Sequence, residues 1–239
     1  MSGKGSPSYS DCVVIIPSFE EPQLNEVVNN VATELDGVGI IVIWKGKEPD
    51  LKLDGKNYRN SILMVQQKSR GKGNAIIEAI EYCNRPIICT IDADLTYCAS
   101  DFRDLIDACR KDYDMVLGDR LKWLHWTAMP FKIELGNKIL TKVTNLLLGL
   151  HLHDALTGMR VFKASSLKRM KLTESGFGIE IEQNAEAARL KYKVIDLPIT
   201  YLQRKDESRW NNKLLGGFEI LSVALKATIA MKMNRQKGK

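Results

Sequence analysis

Pro86-Ile-Ile-Cys-Thr-Ile-Asp-Ala-Asp94 is the stretch on which the fold turns. Its apolar part shows no alternation and stops at two carboxylates. That is how a strand buried on both faces of a parallel sheet is written when its carboxyl end opens onto a site. Toward the N-terminus the same kind of run recurs at 62–65, in Gly39-Ile-Ile-Val-Ile-Trp44 and in Cys12-Val-Val-Ile-Ile-Pro17, with helical stretches at 74–82 and 22–35 between them. Toward the C-terminus a helix over 102–111 leads into a strand over 114–117. Strands alternating with helices predict an α/β fold: a Rossmann-like, mostly parallel central sheet with helices on both faces.

After Gly118 the rhythm changes. A long amphipathic helix is expected over 129–150, then a loop, helices over 165–170 and 179–190, and a strand over 193–197. Residues 214–233 are apolar around much of the circumference, with Glu219, Ser222 and Lys226 on one strip, the pattern of an interfacial or buried helix. Residues 1–11, rich in Gly, Ser and Pro, read as a disordered leader. Residues 12–210 read as one domain in two halves, 12–120 and 121–210, followed by an amphipathic helix and basic tail over 211–239.

With 239 residues, 44% hydrophobic and 27% charged, the chain has the make-up of an ordinary globular protein. Its five cysteines include no CxxC pair, which argues against a disulfide framework or zinc cluster and for a reducing, cytoplasmic setting. No apolar run has the length of a membrane span, and the N-terminus lacks the charged-then-apolar pattern of a secretory signal. A net charge of +6 suits nucleic acid, anionic lipid or a phosphorylated substrate. Nucleic acid is set aside because no aromatic-studded basic sheet is present to stack bases.

Asp92 and Asp94, at the end of a buried strand, suit a hard divalent cation, Mg²⁺ or Mn²⁺, that bridges to a diphosphate; isolated aspartates at such a spacing also make turns and caps. Arg70-Gly-Lys-Gly73 lies between a strand and a helix, where backbone N–H groups approach an anion and Arg70 and Lys72 engage phosphates, or where an ordinary basic loop would sit. Asp154-Ala-Leu-Thr-Gly-Met-Arg160 puts an acid, a flexible glycine and a guanidinium in one loop, either facing an acceptor or capping a helix. Glu180 and Glu182 fall at a helix start, where carboxylates favour the dipole whatever their function. Arg204 through Arg209 offers cations on a loop that can close over a diphosphate, or a solvated charge run. His125, His151 and His153 show no metal-binding spacing and read as surface or core residues.

In this order the segments resemble family 2 glycosyltransferases of the GT-A fold, in particular the dolichyl-phosphate mannose synthase and polyprenyl-phosphate glucosyltransferase branch. Ile16-Pro-Ser-Phe-Glu-Glu21 resembles the opening segment that lines the nucleoside pocket, implying roles for Pro17, Phe19 and Glu21. Asp92-Ala-Asp-Leu-Thr96 resembles the metal-binding Asp-Ala-Asp-Leu-Gln, with Thr96 in place of the glutamine, and Gly118-Asp-Arg120 the Gly-Ser-Arg after a strand. The block from Asp154 to Phe162 resembles Asp-x-x-Ser-Gly-Phe-Arg. Gly176-Phe-Gly-Ile-Glu-Ile-Glu182 resembles the segment with an acceptor-side glutamate, here Glu182. Asp196-Leu-Pro-Ile-Thr200 with Arg204, Ser208 and Arg209 resembles the closing block, Arg209 standing for lysine. Where the family has Asp-Asp-Gly-Ser after the second strand, this chain has Trp44-Lys-Gly-Lys47 and no carboxylate until Glu48.

The resemblance implies a nucleotide-binding half over 12–120 and an acceptor half over 121–210. It implies an inverting transfer of a sugar, mannose favoured, from GDP-mannose or UDP-glucose to a polyprenyl (dolichyl) phosphate, with Asp92 and Asp94 on the metal. Asp94, Asp154 and Arg204 are the expected catalytic set. Arg70, Lys72, Ser208 and Arg209 would serve the diphosphate, Arg120 and Lys132 the acceptor phosphate, and Glu182 its positioning. Lys132, Lys138 and Lys142 with the C-terminal helix suggest peripheral contact with the cytoplasmic face of a membrane, alone, through a membrane-protein partner or as a homo-oligomer. A soluble transferase with a non-lipid acceptor, and a binding protein that has lost catalysis, are the rival readings.

Overall fold

Runs of β-branched residues too uniform to have a wet face become the strands over 12–19, 39–45 and 87–90. The computed structural model describes residues 8–53, 60–125 and 128–204, together with Ser222, Val223 and Leu225. The strands are β1 (Cys12–Phe19), β2 (Gly39–Lys45), β3 (Ser61–Gln66), β4 (Ile87–Thr90), β5 (Met115–Asp119), β6 (Arg160–Lys163) and β7 (Val194–Pro198). They form one seven-stranded sheet in the order β3-β2-β1-β4-β6-β5-β7. β6 runs antiparallel to both β4 and β5, while every other pairing is parallel, so β6 alone points backwards.

The α-helices with bounds among the described residues are α1 (Leu24–Glu34), α2 (Lys72–Ile80), α3 (Phe102–Lys111), α4 (Phe131–Leu148), α5 (Ala164–Leu167) and α6 (Ile179–Leu190). Successive strand residues point to opposite faces. Val14, Ile16, Ile40 and Val42 accordingly pack into one core with Val28 and Val31 of α1 and Phe102 and Leu105 of α3. Val13, Ile15, Ile41 and Ile43 enter a second core with Ala75 and Ala79 of α2 and Ile181 and Ala187 of α6. Helices therefore cover both faces, as the unbroken apolar runs require.

The sequence reading is corrected in two places. Residues 160–163 were assigned to a loop, yet they form β6, paired with β4 through Thr90↔Arg160 and with β5 through Leu117↔Arg160. A four-residue strand that opens on arginine has no apolar run to betray it. The leader is also shorter than 1–11: Tyr9 is buried, its N–H bonds the Asp36 carbonyl, and Arg110 stacks on its ring at 5.3 Å. Residues 1–7 and most of 211–239 lie outside the described residues; within the latter, Val223 is buried and packs against Gly178. All five cysteines are free, four of them buried, and burial pushes the Cys109 thiol up to about 11, so these are packing residues.

Candidate functional site

β4 sits at the middle of the sheet, and its carboxyl end delivers Asp92 and Asp94 to the edge where open α/β sheets bind ligands. Each carboxylate is met by a cation. Lys72 Nζ lies 2.6 Å from Asp92 Oδ1 and 2.7 Å from Glu180 Oε1, a nearly buried ammonium held between two acids. Burial works against its charge, but Asp92 and Glu180 outweigh that cost and hold its pKa above the ordinary lysine value. The other oxygen of Asp92 faces Gly158, where a Cβ would lie 2.5 Å from Oδ2. Only glycine leaves that oxygen open.

Asp94 is fixed by the residue that replaces the family's glutamine: Thr96 donates to Oδ1 from its hydroxyl at 2.6 Å and its N–H at 3.2 Å. Arg204 Nη1 approaches Asp94 Oδ2 at 3.0 Å and Nη2 reaches Glu21 Oε1 at 3.3 Å. Arg204 is brought there by a short tie in which Leu202 N–H bonds the Thr96 carbonyl and Tyr201 bridges Tyr97. Asp92, Asp94, Glu21 and Glu180 outnumber Lys72, Arg204 and the buried Arg160, which interacts with Glu180, by one, so local charge favours a further cation. Two carboxylates with an uncovered oxygen suit a hard divalent ion.

The Arg70-Gly-Lys-Gly73 loop does not offer the N–H groups of Gly73 and Asn74 to a phosphate. Gly73 N–H donates to the Gly176 carbonyl and Asn74 N–H to the Ser175 carbonyl, so these donors are spent on protein. A Cβ at Gly73 would lie 1.9 Å from the Glu174 carbonyl oxygen and one at Gly71, where φ is +117°, 2.1 Å from that of Ser175. The glycines admit a neighbouring chain, and that contact sets α2 so that Lys72 points at Asp92. Arg70 is exposed and stacks over Phe19 at 5.5 Å.

Glu182 is bonded to the chain just before α6. Its carboxylate accepts from Thr173 N–H, Thr173 hydroxyl and Glu174 N–H, which commits it to the loop before α6. Its neighbour Glu180, one face round, is the acid that meets Lys72. Asp154 is fully buried with both oxygens on Arg120, at 2.6 Å from Nε and 2.9 Å from Nη2, and a third bond from the Arg120 N–H. Asp154 thus orients Arg120, whose guanidinium also stacks over Tyr201 at 5.4 Å. Lys132 is exposed on the first turn of α4 with no ion pair among the described residues, and Ser208 and Arg209 lie outside them. Arg160, fully buried, donates to the Thr157 and Ala155 carbonyls and to Asn184; burial lowers its pKa to about 10.

Beside the carboxylates, an open cleft of about 440 Å³ is lined by Ser18, Glu20, Glu21, Lys47, Glu48 and Asp50 among others. Glu48 and Asp50, further along the loop after β2, put two carboxylates on its wall. Pro17 is half-buried in β1 just before the buried Ser18, which lines this cleft, and Glu21 links the cleft through Arg204 to Asp94.

Asp119, His153 and Asp196 also gather their ligand atoms within 4.8 Å of one another. Part of their hydrogen-bonding capacity is already used: Asp196 accepts from the N–H groups of His153 and Asp154 and faces His153 Nδ1 at 3.1 Å, while Asp119 accepts from Leu121 N–H. These bonds fix the turn that carries Asp154.

The profile of glycosyl transferase family 2 matches residues 13–171, which span Asp92, Asp94, Arg120 and the 154–160 loop. The chain belongs to this family. Glycosyltransferase AglJ of Haloferax volcanii is 30% identical over 86% of this chain and 67% of its own length. The dolichyl-phosphate hexose transferase of the same organism is 26% identical over 84% of this chain and 87% of its own. Glucosyl-3-phosphoglycerate synthase of Mycobacterium tuberculosis, solved with Mg²⁺ and uridine diphosphate, superposes with a TM-score of 0.70 at 16% identity, covering 91% of this chain and 79% of that one. The fold is GT-A, as the sequence led one to expect.

Two outcomes follow from the geometry of this transferase. Gly73→Ala sets a Cβ against a backbone carbonyl and should cost about 3 kcal/mol of unfolding free energy in a urea titration; a change below about 0.5 kcal/mol would mean that the 174–176 segment does not dock there. The hydrogen bond and charge of Asp196 raise the pKa of His153, which is largely exposed. The stabilisation is then complete below the unfolded value of about 6.5 and is lost as pH rises through the higher folded value. An NMR titration should place His153 above 6.5 and return it toward 6.5 in Asp196→Asn; a wild-type value at or below 6.5 would contradict the pairing.

Proposed function

We propose that this transferase carries a sugar from a nucleotide sugar to a polyprenyl phosphate, with inversion, at the cytoplasmic face of a membrane. Mannose from GDP-mannose is the favoured donor, and glucose from UDP-glucose the alternative. The observation that carries the reading is the connected network from the cleft through Glu21 and Arg204 to Asp94 and Asp92. The likeness to a dolichyl-phosphate hexose transferase along most of both chains supports the acceptor.

A divalent cation, Mg²⁺ or Mn²⁺, held by Asp92 and Asp94 would neutralise the leaving diphosphate. The cleft takes the nucleoside, with Glu48 and Asp50 available to accept N–H groups of the base. Arg204 and Lys72, already beside the two aspartates, are placed to share the charge that develops on the diphosphate. Asp154 and Tyr201 hold Arg120, leaving Nη1 for the acceptor phosphate. A phosphate monoester is ionised near neutrality, so its oxygen attacks the anomeric carbon without a strong general base. No helix among the described residues is long and apolar enough to cross a membrane, which suits peripheral attachment.

The test is transfer of radiolabelled sugar from GDP-mannose and UDP-glucose, separately, to a short polyprenyl phosphate with Mn²⁺ or Mg²⁺. Metal-dependent, solvent-extractable product is expected from one donor, with Asp94→Ala lowering the rate at least about 100-fold. No product from either donor, despite nucleotide binding, would overturn the lipid acceptor in favour of a soluble one. In the same assay Glu180→Gln should lower kcat about tenfold or more by freeing Lys72, whereas Glu182→Gln should change kcat less than about twofold while lowering Tm. The reverse ranking would restore Glu182 to the site.

A further inference from the structure

Tyr97 stands three residues beyond Asp94 and is buried, at 6% exposure. The turn that brings it there is left-handed at Leu95, φ +60°, a conformation that a bulky side chain adopts where its surroundings enforce it. Thr96 enforces it from one side through its two bonds to Asp94. Tyr97 does so from the other: its ring meets Tyr201 edge to face with centroids 5.4 Å apart, and the backbones of the two tyrosines pair as an antiparallel bridge.

The phenol is also bonded to the 154–160 loop. Its hydroxyl accepts from Gly158 N–H at 2.9 Å, and the buried Thr90 hydroxyl, on β4, donates to the Gly158 carbonyl at 2.9 Å. Both backbone groups of Gly158 are therefore held by side chains of one segment, 90–97, which also carries Asp92 and Asp94. Gly158 has no side chain of its own to fix it, and it is the residue that abuts Asp92. Elsewhere Tyr97 supports Tyr201, over whose ring the Arg120 guanidinium lies at 5.4 Å. One side chain thus contacts both the neighbour of Asp92 and the support of Arg120.

We propose that Tyr97 is a positioning residue for sugar transfer: with Thr90 it clamps Gly158 against Asp92 while carrying Tyr201 beneath Arg120, and so sets the separation between the carboxylates and the guanidinium. The separation matters because a misplacement of about 1 Å between reacting groups costs about 100-fold in rate. The effect on rate rests on the reading above, with the diphosphate at Asp92 and the acceptor phosphate at Arg120; the clamp itself does not.

Tyr97→Phe keeps the ring and removes one oxygen, leaving the buried Gly158 N–H without its acceptor. Amide hydrogen exchange at Gly158, followed by NMR of glycine-labelled protein, should speed up about tenfold or more. In the transfer assay kcat should fall about tenfold or more, with the KM for the nucleotide sugar changed less than about twofold. Thr90→Val should act in the same direction, and the double variant should lose no more than about threefold beyond the worse single one, because both bonds hold one residue. Unchanged exchange in Tyr97→Phe would overturn the clamp, as would losses that multiply in the double variant. Faster exchange with kcat within about twofold of wild type would overturn the positioning role and leave Tyr97 a packing residue. Faster exchange in the variant, with no transfer to polyprenyl phosphate by the wild type, would keep the clamp and overturn the acceptor reading.

Discussion

The ammonium of Lys72, shared between Asp92 and Glu180, is the contact on which the site depends. It joins three parts of the chain that meet nowhere else in sequence: the start of α2, the end of β4 and the start of α6. A nearly buried lysine flanked by a single acid would weigh its attraction against desolvation, and two acids shift the balance toward the charged form. The backbone approach at Gly71 and Gly73 makes this possible, because any side chain there would push α2 away from the 174–176 segment. Arg204 repeats the arrangement on Asp94, with Glu21 as the second acid. Both metal-type carboxylates are thus aligned by cations that also suit a diphosphate.

The antiparallel β6 completes the geometry. By running backwards between β4 and β5 it returns the chain from the 154–160 loop directly beside Asp92, so that Gly158 abuts one aspartate while Asp154, four residues earlier, holds Arg120. The Asp92 and Arg120 sides of the site are therefore set by one short segment. The buried Arg160, bonded to the Ala155 and Thr157 carbonyls, makes that segment rigid.

How much of this was legible in the sequence depended on whether a residue's role follows from its own surroundings. The parallel strands and the Asp92/Asp94 pair were legible, because an unbroken β-branched run followed by carboxylates states both burial and exit. β6 was not, since an arginine at its head hides a strand of four residues. Glu180 and Glu182 are equivalent by any local rule, and only the rotation of α6 against the 173–174 loop decides which acid meets Lys72. Glycines at a helix start look alike whether they admit a phosphate or a neighbouring backbone, so the sequence leaves both open for Arg70-Gly-Lys-Gly73, where the N–H groups of Gly73 and Asn74 go to the 175–176 carbonyls. Tyr97 and Tyr201, which pack edge to face at 5.4 Å and steer Arg120 and Arg204, carry no spacing signal at all.

The central claim is that Asp92 and Asp94, with their paired cations, form the metal and diphosphate site. It is tested most directly by Mn²⁺ binding followed by electron paramagnetic resonance, with and without GDP or UDP, in the wild type, Asp94→Ala and His153→Ala. The account predicts nucleotide-enhanced Mn²⁺ binding that is lost in Asp94→Ala and kept in His153→Ala. Binding that survives Asp94→Ala and disappears with His153→Ala would contradict it, and would move the metal to the Asp119, His153 and Asp196 cluster.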